Sequence, residues 1–119
     1  MVDFSQVFAE LRRIMLPYAR KLDCKVDDES ELYVDTKHIQ KNKKPLCFGA
    51  VQIKKNYVSY HLMPVYVNPT LVASASIDLK KHMQGKSCFN FTALDATLFK
   101  ELAVLTEAGF KDYEKQGYV

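Results

Sequence analysis

The sequence predicts an α+β fold, a mainly antiparallel sheet with helices packed on one face, in the order α-β-β-β-α-β-α. Three observations lead there. Apolar residues recur at helical spacing near both ends of the 119-residue chain. The middle alternates apolar and polar residues about a short turn. The length suits one domain, residues 1–119, with a single two-layer core.

The first helix follows from Phe4, Phe8, Leu11, Met15, Tyr18 and Leu22, which succeed one another at steps of three and four residues. Asp3 reads as its N-cap, with Gln6 as the capping-box partner. Pro17 predicts a kink or an early end, because proline removes a backbone donor and crowds the preceding turn. The acidic run DDESE (27–31) then leads into a short strand from Leu32 to Thr36, and the lysine-rich residues 37–44 read as a loop.

Pro45 to Met63 read as a β-hairpin turning at Lys55-Asn56, since asparagine tolerates the positive φ of a tight turn. That turn pairs Lys54 with Tyr57, Ile53 with Val58, Ala50 with His61 and Phe48 with Met63. Side chains alternate across a strand. One face therefore carries Cys47, Gly49, Val51, Ile53, Val58, Tyr60 and Leu62, without a charge, and should lie against the helices. The other carries Phe48, Ala50, Gln52, Lys54, Tyr57, Ser59, His61 and Met63.

Asn68-Pro69 starts a helical stretch, with asparagine as N-cap and proline in the first turn. Interrupted helical turns run on to Met83, and Gly85 reads as their stop. Ser87 to Phe91 form a further strand. Asp95 opens the last helix, whose stripe is Phe99, Leu102, Ala103, Thr106, Phe110 and Tyr113.

Composition narrows the function classes. Hydrophobic residues make up 48% and charged residues 26%, which argues for a globular domain and against disorder. No apolar run is long enough to span a membrane, and MVDFSQVF lacks the pattern of a secretory signal. Three cysteines, an odd number with no C-x-x-C spacing, read as reduced thiols of a cytoplasmic protein. The net charge of +3 conceals a division: −3 over residues 1–36, +8 over 37–86 and −2 over 87–119. Solvated lysines explain the basic middle, and no RNA-recognition, helix-turn-helix or zinc-finger pattern supports nucleic-acid binding.

Individual motifs add little catalysis. Gly85-Lys86-Ser87 is not a phosphate loop: position 80 is Lys80 where a glycine is required, and a strand follows where a helix should. His61 has no acidic residue spaced to orient it as a general base. Cys88 alternates with Phe89 and is expected to point away from it, its thiol in the core, so a cysteine hydrolase is disfavoured. Asp27, Asp28, Glu29, Glu31 and Asp35 form the one dense carboxylate group; oxygen ligands suit hard cations, but a solvated loop accounts for the cluster.

The segments HLMPVYVNP (61–69), QGKSCFNF (84–91) and LFKELAVLTEAGF (98–110) resemble the YdhG-like family, small bacterial domains of unknown function. The resemblance covers most of the chain and is strongest from Gly49 to Tyr113. It implies an α+β fold and a cytosolic bacterial domain. Some relatives are described as frataxin-like iron chaperones, which makes iron binding through Asp27, Asp28 and Glu29 the alternative function.

The expectation is therefore a binding or interaction module, not an enzyme, with no cofactor. Its surface is the mixed sheet face around His61, with Tyr33, Phe48, Tyr57, Ser59 and Met63, flanked by Lys86. The partner is a small molecule or a protein. An uncovered face bearing Phe48, Tyr57 and Met63 would also suit a homodimer.

Overall fold

The computed structural model describes residues 3–119. One sheet of six strands, all antiparallel, has the order β1-β2-β3-β4-β6-β5. Its strands are β1 (Asp23–Asp27), β2 (Glu31–Ile39), β3 (Pro45–Ile53), β4 (Val58–Leu62), β5 (Met83–Gln84) and β6 (Cys88–Phe91). The helices are α1 (Ser5–Ala19), α2 (Met63–Val67), α3 (Ile77–Lys80) and α4 (Ala96–Gln116), with a 3₁₀ turn over Pro69–Val72. The expected α+β architecture and element order hold, with two short edge strands, β1 and β5, added. Periodicity cannot find either: β1 is exposed or half-exposed throughout and β5 has two residues.

α1 and α4 lie side by side on one face of the sheet and enclose the core. Leu11 and Met15 of α1, Leu102 and Tyr113 of α4, and Val51, Val58, Tyr60 and Leu62 of the hairpin are all inaccessible to solvent. Fully burying each aliphatic side chain is worth about 1.5–3 kcal/mol, so this layer fixes which face of every strand is inward. The hairpin register is the expected one: Ile53 opposes Val58, Val51 opposes Tyr60 and Ala50 opposes His61. Gly49 is required by close approach, because a β-carbon there would lie 2.6 Å from the His61 carbonyl oxygen and 2.4 Å from Met15 Cε.

Several local readings are corrected. Phe48 belongs to the core, not to the open face. Val34 pairs with Gly49 and Asp35 with Cys47, so Phe48 is the extra residue of a β-bulge. The bulge turns its ring among Tyr18, Phe110 and Tyr113, at centroid distances of 5.7–6.0 Å. Cys47 correspondingly shares the opposite face with Tyr33 and Asp35. Met63 does not continue β4: Pro64 lacks the N–H a strand would need, so the chain enters α2 at Met63. Gly85, at φ 76°, turns the β5–β6 hairpin and does not end a helix. Asn56 sits at the expected turn, closed by Lys54 N–H donating to the Tyr57 carbonyl at 2.8 Å, but without positive φ. α1 begins one residue later than expected, because Asp3 accepts from the N–H of Ser5. β2 extends through Ile39, which shortens the lysine loop. As anticipated, Asp95 caps α4, Asn68 caps the 3₁₀ turn, and α1 ends within a turn of Pro17.

Candidate functional site

The helix-free face of the sheet is polar, and its register lines up two rows of side chains. Tyr33, Ala50, His61, Cys88 and Gln84 form one row from β2 to β5. Glu31, Gln52, Ser59 and Asn90 form the next. Ala50 is the short side chain between Tyr33 and His61, and above it lies a depression of about 320 Å³ bounded by Tyr33, Tyr57, Ser59, His61, Cys88 and Asn90.

His61 is the pivot. Its Nδ1 lies 3.1 Å from Ser87 Oγ and 3.4 Å from Cys88 Sγ. Burial lowers its pKa below the ordinary value near 6.5, and a hydrogen bond from the ring to the Ser87 backbone only partly opposes that shift. The imidazole is therefore neutral at neutral pH, with Nε2 as its remaining polar atom. Ser59 is only 8% exposed as a residue, and its hydroxyl, which has no protein partner among the described residues, is the part that reaches solvent. The Asn90 side chain is likewise unpartnered among them. Such groups are usually satisfied, by water or by a ligand when not by protein. Gln52 differs: its amide donates to Glu31 and is held in place. At the far edge, burial, and then the neighbouring Cys47 thiol, pushes the Tyr33 phenol up to about 12, so Tyr33 acts as a neutral hydrogen-bonding group.

Of the residues expected at this site, the fold brings Tyr33, Tyr57, Ser59 and His61 together. It does not bring Phe48 or Met63, for the reasons above, nor Lys86, which is exposed in the β5–β6 turn and does not border the depression. Cys88 is the opposite correction. Phe89 and Phe91 take the core side of β6, which leaves Cys88 and Asn90 on the open face. The alternation Cys-Phe-Asn-Phe carried that signal, and it required only that the aromatic residues be given the inward positions.

The acidic segment is engaged locally. Asp27 receives a bidentate contact from Arg12, with Nε and Nη2 at 2.8–3.0 Å. Asp28 accepts from the backbone N–H groups of Ser30 and Glu31, which hold its pKa below the ordinary carboxylate value. Glu29 is exposed beside them. Among the described residues, no three His, Cys, Asp or Glu side chains are placed to share a metal ion.

A larger groove of about 420 Å³ lies between α1 and the start of α4, lined by Ile14, Leu94 and Phe99 with Glu10, Arg13 and Lys100 at its edge. It presents an apolar floor edged by solvated charges, whereas the sheet-face depression gathers several uncharged polar side chains around Ala50, so the depression is the better site despite being smaller. Among the described residues no helix is long and apolar enough to cross a membrane. Comparison with protein-family models, curated proteins and solved structures finds no match.

Proposed function

We propose that this domain is a binding module that holds a small, uncharged, planar molecule bearing a carbonyl or amide group in the depression above Ala50. The observation that carries this reading is the convergence of unpaired polar groups on one small residue. Ser59 and Asn90 offer hydrogen bonds, His61 offers Nε2, and the rings of Tyr33 and Tyr57 stand at the edges. A volume of about 320 Å³ is near the small end of ligand sites. Neutral His61, with Lys54 and Glu31 both on this face, gives no single sign of charge to select an ion.

The YdhG-like resemblance belongs to the same proposal, supported by the α+β order and silent on the ligand. A homodimer through this face has less support, because two of the three apolar residues invoked for it, Phe48 and Met63, are elsewhere. Iron binding by Asp27, Asp28 and Glu29 is not favoured by any particular contact, since two of the three carboxylates are already engaged.

The test is thermal unfolding with a panel of small amides and carbonyl compounds. A ligand of the native state raises the midpoint in proportion to its occupancy. Stabilisation of the wild type that is lost in Ser59→Ala and His61→Gln supports the site. No stabilisation by any member, or stabilisation unaltered by both substitutions, refutes it.

A further inference from the structure

We propose that Cys88 is a nucleophilic thiol that adds to small α,β-unsaturated carbonyl compounds held in this depression, with His61 taking its proton and Ser59 holding the carbonyl oxygen. The proposal rests on the binding reading above and names its substrate class.

Two independent observations carry it. Cys88 Sγ lies 3.4 Å from His61 Nδ1, so with the ring proton on Nε2 the thiol is one of two donors, with the Ser87 hydroxyl at 3.1 Å, that face the Nδ1 lone pair. Ser59 is nine-tenths buried as a residue, while its hydroxyl oxygen, with no protein partner among the described residues, opens on the same depression. Register then relates the two. Ser59 opposes Asn90 and His61 opposes Cys88, so Ser59 and Cys88 are diagonal neighbours across β4 and β6. Diagonal positions in an antiparallel pair lie about 7–8 Å apart. That spacing leaves room for a conjugated carbon–carbon–carbonyl unit between sulfur and hydroxyl.

The step balances without an external reagent. Nδ1 accepts the thiol proton, and sulfur bonds to the β-carbon as the carbon–carbon π bond breaks. The electron pair moves to the carbonyl oxygen, where the Ser59 hydroxyl donates to the developing enolate. The imidazolium returns its proton to the α-carbon. One S–H has added across one C=C; nothing is oxidised and nothing leaves. Burial favours the neutral ring, so Nδ1 starts unprotonated, and the same burial makes the imidazolium a stronger acid that readily returns its proton to the α-carbon.

The chain contains its own controls. Cys24 is exposed, and burial of its sulfur and the nearby Asp27 hold its thiol pKa above the ordinary value. Cys47 is buried, and that burial pushes its thiol up to about 11. Accessibility alone would make Cys24 the fastest of the three. The folded protein is treated with acrylamide at neutral pH, and each cysteine is followed by peptide mass spectrometry. Cys88 is expected to react roughly tenfold or more faster than Cys24. His61→Gln should bring Cys88 down to about the Cys24 rate and leave Cys24 unchanged. Ser59→Ala should slow acrylamide more than iodoacetamide, because the hydroxyl contributes to binding both amides but only acrylamide addition develops charge on the carbonyl oxygen. Cys47 reports folding: if it labels as fast as Cys24 in His61→Gln, His61→Asn takes its place. Cys24 outpacing Cys88, or a Cys88 rate indifferent to both His61 substitutions, overturns the proposal. In that event, ligand-induced stabilisation persisting in Cys88→Ser leaves the binding reading standing. Its absence from wild type and Cys88→Ser alike removes both.

Discussion

Strand β4 presents two different chemistries within five residues. Val58, Tyr60 and Leu62 face the helices and are closed to solvent, whereas Ser59 and His61 face the open side. Polar atoms fare differently on the two faces. Inside, the Tyr60 hydroxyl meets Thr106 Oγ1 at 2.6 Å, and Thr106 donates in turn to the Leu102 carbonyl at 2.8 Å. Tyr113 donates to the Cys47 carbonyl at 2.9 Å. Outside, the Ser59 hydroxyl and the Asn90 amide have no protein partner among the described residues. A core must satisfy its polar groups because nothing else will reach them. A surface depression can leave them for a guest. The difference locates the candidate site better than apolar content does, since the polar groups of the more apolar groove beside α1 are all charged side chains.

The largest expected effect is on the inner face. Leu62→Ala should destabilise the domain by about 2–5 kcal/mol in urea titration, through lost burial and a cavity under α4. A cost no greater than that of Asn90→Ala on the opposite side would mean that the two faces are not energetically distinct.

Gly49→Ala should follow, at about 1–3 kcal/mol, because the added methyl meets the backbone carbonyl of His61 as well as the flexible end of Met15. Neutral behaviour in the same titration would show that the β3–β4 pair can open without penalty. Tyr60→Phe is smaller, about 0.5–1.5 kcal/mol. Thr106 keeps its bond to Leu102, so no buried donor is stranded. A loss above that range would show that the three groups act as a coupled network, which a double-mutant cycle with Thr106→Val would measure.

The outer face should respond to pH where the inner face does not. Burial depresses the folded-state pKa of His61, so the folded protein binds fewer protons than the unfolded chain as pH falls below about 6.5. The stability His61 contributes is complete above that pH and is lost as pH falls through its lower folded value. Unfolding midpoints of wild type and His61→Gln, compared on either side of this window, should converge toward acid. A parallel pair of curves would remove His61 as the source.

The smallest effect sharpens the comparison most. Ser59→Ala should change stability by no more than about 0.5 kcal/mol, because no protein contact is lost, while abolishing any ligand-induced stabilisation. A large intrinsic loss would make the hydroxyl structural and place it with Tyr60.

Much of this was determined by sequence alone. The stripes of α1 and α4 and the alternation of Val51, Ile53, Val58, Tyr60 and Leu62 specify helix and strand faces, because each periodicity has one arrangement that buries its apolar residues. Asp95 and Asn68 mark their helix starts by local hydrogen bonding. The same local logic placed Tyr33, Tyr57, Ser59 and His61 on a common face. It failed at Phe48, because a bulge is an offset between two strands and is invisible to the alternation of either one. It failed at Met63, where Pro64 ends the ladder one residue before the pattern does. Tertiary structure alone decided that β6 lies next to β4, and hence that Cys88 meets His61. Strands far apart in sequence become neighbours when a shared core aligns them, and that core is assembled from α1, α4 and the hairpin together, not from any single segment.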